Sequence, residues 1–176
     1  MIFSPLPGTP IVTQGFGQHP EIYGQYGYLG HNGFDFGVSV GSSVHAPHDG
    51  IARVKNDGTS GYGLYIIIEG PTRLSLLAHC SQILVANGKQ ISQGDVVARS
   101  GQSGNCTGPH LHWTFKILKN GVVQNKTNGY DGAMDVSELT RLWLPQDLHR
   151  NATYTDDAKP YLSLVLAPNQ VLHQTA

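Results

Sequence analysis

Gly101-Gln102-Ser103-Gly104-Asn105-Cys106-Thr107-Gly108-Pro109-His110-Leu111-His112-Trp113-Thr114-Phe115-Lys116-Ile117-Leu118 is the stretch on which the reading of this chain turns. A glycine-rich run delivers the backbone into His110–Leu118, which carries the aromatic and β-branched residues of a strand. Side chains alternate along a strand, so His110 and His112 share one face while Leu111 turns to the core.

Working outward, further strand-like runs are Ser43–Val54, Leu64–Glu69, Arg73–His79 and Gln90–Ala98. Turn pairs bound them: Asp49-Gly50, Asp57-Gly58, Glu69-Gly70-Pro71, Asn87-Gly88 and Ser100-Gly101. Asn120-Gly121 is a hairpin signal. Strands at roughly ten-residue spacing imply an all-β sandwich or barrel rather than βαβ units. The expected fold is an all-β antiparallel β-sheet sandwich built around a groove. After Gln124 the character changes: 126–133 is polar and glycine-rich, and Val136, Leu139, Leu142 and Trp143 follow at helical spacing, stopped by Pro145. The expected division is a β-domain over 1–125, with 126–176 forming a loop, a short helical strap and a tail packed on it.

Composition agrees. Charged residues are 13% of the 176, about half the usual share, and glycine contributes 22, which disfavours long helices and suits short strands with tight turns. A formal net charge of −1 excludes the basic footprint of a nucleic-acid binder. No apolar run approaches the ~20 residues needed to span a bilayer, so no membrane insertion is expected. Met1–Pro7 lacks a basic region and carries two prolines, unlike a signal peptide. The expectation is release by phage lysis or on a phage tail, or a secreted chain trimmed of its signal. Two cysteines, Cys80 and Cys106, are too few for a thiolate zinc site and are expected as free thiols.

Nine histidines are the unusual number. His31-Asn32-Gly33-Phe34-Asp35 places an imidazole and a carboxylate at even separation on an extended segment, hence on one face. His79 ends a strand-like run able to lie beside His110-Leu111-His112. Zinc takes imidazole nitrogen and carboxylate oxygen, and a catalytic site keeps three protein ligands and an open position. One Asp and two His make such a set, leaving other histidines for proton work. His19, His45, His48, His149 and His173 lack partners at ligand spacing and are read as solvated or turn-stabilising.

From Gly30 to Lys116 the sequence resembles the lysostaphin-like zinc endopeptidases that cut peptidoglycan cross-bridges. Blocks match in order: His31-x-Gly33-x-Asp35-Phe36, the Gly41–Gly50 turn ending Ala-Pro-x-Asp-Gly, Ala78-His79 before Lys89-x-x-x-x-Gly94-Asp95, and the run Gly101 to His112. The resemblance implies about one zinc ion per chain held by His31, Asp35 and His112, with His79 and His110 as the catalytic pair outside the ligand set. It implies a peptide hydrolase acting at the cell wall or periplasm on peptidoglycan stems and cross-bridges, as a monomer. The family usually has a tyrosine two residues before the strand histidine, where this chain has Leu77. A tyrosine upstream of the first ligand often helps hold the oxyanion in relatives, and Tyr23, Tyr26 and Tyr28 are the candidates, lining the groove in the plainer reading. The alternative function is an inactive relative that binds wall or regulates an amidase. Such proteins lose ligands, and here the full set is present.

Overall fold

The computed structural model describes residues 2–137. In chain order the strands are β1 (Ile11–Gln14), β2 (Phe34–Gly37), β3 (Ser43–His45), β4 (Gly50–Asn56), β5 (Leu64–Glu69), β6 (Arg73–Ala78), β7 (Cys80–Ile83), β8 (Gln90–Ile91), β9 (Val96–Ser100), β10 (His110–Lys119) and β11 (Val122–Val123). A one-turn helix, α1 (Pro20–Tyr23), and a 3₁₀ turn (Gly24–Tyr26) lie between β1 and β2. The large sheet runs β1-β2-β10-β6-β5-β4-β8 with β11 added to β10, and a second sheet runs β3-β9-β7. Every strand pairing among the described residues is antiparallel.

Two runs expected as single strands are each divided between the sheets. Ser43–Val54 breaks at Ala46–Asp49, because Pro47 has no N–H for a ladder and Asp49-Gly50 turns the chain. Gln90–Ala98 breaks at Gln93-Gly94, where Gly94 takes φ 84°. These corners pass the chain from one layer to the other. The run Arg73–His79 ends one residue early: His79 adopts φ 60°, and the chain resumes as β7 in the smaller sheet. At the expected hairpin, Asn120 and Gly121 both take positive φ (52° and 74°), and Leu118 and Lys119 pair with Val123 and Val122.

Register builds the core. Phe34, Trp113, Leu77 and Ile66 stand opposite one another on four successive strands, all facing inward. Leu77 is therefore a core residue; a tyrosine there would have to find a partner for its hydroxyl. Phe36 opposes Leu111, and Val44, Ala98 and Cys80 close the core from the smaller sheet. The intervening row, Asp35, His112 and Ala78, stands on the other face of the large sheet. Beyond β11 the chain returns to β10, with Ala133 bridging Lys116 and Val136 buried in the core. The helical strap beyond Ser137, the run Tyr161–Leu166, His149 and His173 lie outside the described residues. None of the described helices is long and apolar enough to cross a membrane.

Candidate metal centre

Register alone sets Asp35 and His112 side by side on the outer face of the large sheet. His31, four residues before Asp35, turns back over them: its Nε2 lies 3.2 Å from Asp35 Oδ1 and 2.9 Å from His112 Nδ1. His112 Nδ1 is 2.9 Å from the same carboxylate oxygen. All three residues are buried, at 1%, 8% and 3% exposure for His31, Asp35 and His112. Gly33 makes the approach possible, because a Cβ there would sit 2.5 Å from the Trp113 carbonyl oxygen and 2.8 Å from His112 Cε1.

The outer nitrogen of each ring has its own partner. His31 Nδ1–H donates to the Gly15 carbonyl at 3.1 Å, and His112 Nε2 reaches Thr114 Oγ1 at 2.8 Å. With the His31 proton outward and the His112 proton on Nε2, His31 Nε2, His112 Nδ1 and Asp35 Oδ1 would aim lone pairs at one point. Two imidazoles with one carboxylate are a set that could hold a metal ion. When protons fill that role, burial raises the Asp35 carboxyl, but hydrogen bonds and charge from His112 and His31 outweigh it and hold the group well below its usual range. Burial also pulls His112 down.

His79 and His110 stand beside this trio with ring centroids 4.6 Å apart. His79 Nδ1–H donates to the Ser103 carbonyl and His110 Nδ1–H to the Gly108 carbonyl, each at 2.8 Å. Each neutral ring therefore keeps its lone pair on Nε2, and that of His110 lies 3.8 Å from Asp35 Oδ2. Burial drives His79 down to about 4, more than its hydrogen bond to Ser103 restores.

The three tyrosines part company. Tyr23 packs on His31 with ring centroids 5.1 Å apart, and burial, then the Asp35 charge, raises its phenol to about 12. Tyr26 is exposed and accepts from Asn105 Nδ2 at 3.1 Å. Tyr28 is half-buried near Asn32 and Asp131. Both cysteines are free. Of the other histidines, one is buried and one is half-buried at a turn. His48 is buried between the Asp49 carbonyl and Ser75 Oγ, and His45 bonds the Gly94 carbonyl.

Sequence reasoning missed Thr114, Tyr62 and Ser103. Thr114 was within reach, being two residues beyond His112 on the same strand face. Tyr62, packed on His112 at 5.3 Å, and Ser103 carry no local signal, because only the tertiary fold brings their loops to the site.

Residues 29–126 match the model of peptidase family M23. The chain belongs to this family. Among its relatives, the M23 chain is 33% identical to the peptidoglycan DD-endopeptidase ShyA of Vibrio cholerae over 98 residues, covering 56% of this chain and 23% of that one. It is 30% identical to the glycyl-glycine endopeptidase ALE-1 of Staphylococcus capitis over 116 residues, 64% of this chain and 31% of that one. It thus spans under a third of the length of either relative. Among solved structures, a mutant catalytic domain of the prophage-encoded M23 protein EnpA from Enterococcus faecalis matches with TM-score 0.57 at 27% identity, over 71% of this chain and 95% of that domain. The catalytic domain of lysostaphin from Staphylococcus simulans matches with TM-score 0.54 at 25% identity, over 68% and 90%. The M23 chain shares their antiparallel β architecture.

Proposed function

We propose that this M23 chain is a zinc-dependent, wall-lytic endopeptidase that hydrolyses the peptide cross-links of bacterial peptidoglycan, acting as a monomer at the cell wall or in the periplasm. The observation that carries the reading is one buried carboxylate and two imidazoles with converging lone pairs, beside two further imidazoles anchored to carbonyls. An inactive wall-binding relative has no need of that whole set. The likeness to prophage-encoded EnpA supports a phage-borne source.

His31, Asp35 and His112 would hold the zinc ion, which when bound polarises a carbonyl and acidifies water. The protein's own groups do the proton work. His79, neutral at pH 7 because burial lowers it to about 4, has Nε2 free to take a proton from the attacking water. His110 presents the second such nitrogen, and one of the two rings returns the proton to the leaving amine. Tyr23 stays protonated and is the tyrosine packed on a proposed ligand, so it is the one placed to donate to the oxyanion developing on the peptide carbonyl.

Purified walls of differing cross-bridge chemistry, digested and analysed by mass spectrometry, test the reading. New peptide termini within the cross-link are expected, and they should be lost in His79→Ala. Release of sugar reducing ends, or no new termini from any wall, would overturn it.

A further inference from the structure

Resting on the zinc reading, we propose that Thr114, Tyr62 and Asn32 are positioning residues that fix the His112 ring for coordination through Nδ1. A neutral imidazole carries one proton, so binding a metal through Nδ1 requires that proton on Nε2, with an acceptor there. Thr114 Oγ1 is that acceptor, 2.8 Å away, on a residue 1% exposed.

Tyr62 packs against the same imidazole ring. Tyr62 Oη is oriented in turn by Asn32 Nδ2, a donor at 2.8 Å from a side chain 4% exposed. Asn32 lies between the proposed ligands His31 and Asp35, so these contacts begin in the segment that supplies two ligands and end on the third. The Tyr62 ring, 5.3 Å from that of His112, holds its plane from the side.

Thr114 and Asn32 are buried, so they act through His112. Outer partners of a ligating histidine are typically worth about 10- to 100-fold in metal affinity. Zinc affinity, measured by competition with a chromophoric chelator, should fall by about that factor in Thr114→Val. Thr114→Ser, which restores the hydroxyl, should bind within about threefold of the parent, and Tyr62→Phe should fall between the two. The cobalt-substituted Thr114→Val protein should show a shifted d–d absorption band, which a merely structural role would not move.

Should Thr114→Val fold poorly, the Ser and Phe variants still decide the matter. Parental zinc affinity and cobalt spectrum in Thr114→Val or Tyr62→Phe, or a Thr114→Ser as impaired as Thr114→Val, would overturn this inference and leave the proposed function standing. A parent chain that binds no zinc would overturn the proposed function itself, and this inference with it.

Discussion

His79 holds a left-handed backbone angle, φ 60°, with its Nδ1 2.8 Å from the carbonyl oxygen of Ser103. A side-chain-bearing residue pays about 1–3 kcal/mol for a sparsely populated conformation, so the surroundings must impose it. They do so through Ser103, whose Oγ donates to the Cys80 carbonyl and accepts from the Leu64 N–H. The kink ends β6, starts β7 in the other sheet and turns the imidazole toward His110. His79→Ala and His110→Ala should each retain zinc and lose about 10²–10⁴ in rate, the usual worth of general acid–base catalysis. Elemental analysis beside turnover checks this. Loss of zinc from His110→Ala with retention in His112→Ala would reverse the assignment.

The metal itself gives the second expectation. Reconstituted protein should carry about one zinc ion per chain, and His112→Ala should carry none. Chelation should stop hydrolysis while far-UV circular dichroism stays native, because the core lies between the sheets and the proposed ligands stand outside it. Unfolding on chelation would show that the ion is structural.

Gly33→Ala should be costly out of proportion to one methyl group. The new Cβ would meet the Trp113 carbonyl at 2.5 Å and His112 Cε1 at 2.8 Å, so β2 must shift from β10. Overpacking of this kind costs about 1–3 kcal/mol, and zinc affinity should fall too, because the displaced strand carries Asp35. Urea titration and chelator competition measure the two effects separately. A variant with parental values for both would show that the loop relaxes freely.

His48 should make stability depend on pH. Its Nδ1–H donates to the Asp49 carbonyl, and Ser75 Oγ accepts from Trp113 Nε1–H and donates to His48 Nε2, an arrangement that requires a neutral ring. Burial lowers its pKa to about 4, whereas an unfolded histidine titrates near 6.5. Between those values the unfolded chain binds the proton and the native one does not, so stability is full above pH 6.5 and declines as pH falls toward 4. The loss should approach about 3 kcal/mol at the acid end. Urea denaturation of zinc-free protein at pH 7 and pH 5 should show a larger drop for the parent than for His48→Gln. Equal drops would locate the titration elsewhere.

Substrate choice follows from the walls. The loops at Tyr23–Tyr28, Gly58–Gly63 and Ser100–Pro109 are glycine-rich with few charges, so a substrate backbone can approach closely. Cleavage is expected beside glycine or alanine, with modest dependence on salt. A panel of cross-bridge peptides at low and high salt checks this. Cleavage confined to bonds beside bulky charged residues would count against it.

Much of this was legible in the sequence, for a definite reason. Periodicity reports which face a strand residue occupies, so His110-Leu111-His112 announced two imidazoles on one face. His31, by contrast, precedes β2 beside a bend at Asn32-Gly33 and comes over Asp35 by that turn rather than by strand alternation. Turn chemistry announced the hairpin at Asn120-Gly121. Periodicity says nothing about neighbours. That Asp35 faces His112 depends on the register between β2 and β10, set by packing Phe34 and Phe36 against Trp113 and Leu111 in the core. The division of Ser43–Val54 and Gln90–Ala98 between two sheets, and the kink at His79, arise because a closed core needs corners where the chain changes layers. The partners of each imidazole, namely Gly15, Ser103, Gly108 and Thr114, complete the same pattern. The sequence by itself determined which chemical groups are present and, within strands, on which faces they stand. Only the tertiary structure decided which nitrogen of each ring is free, because a ring's proton goes to whichever acceptor the fold places beside it.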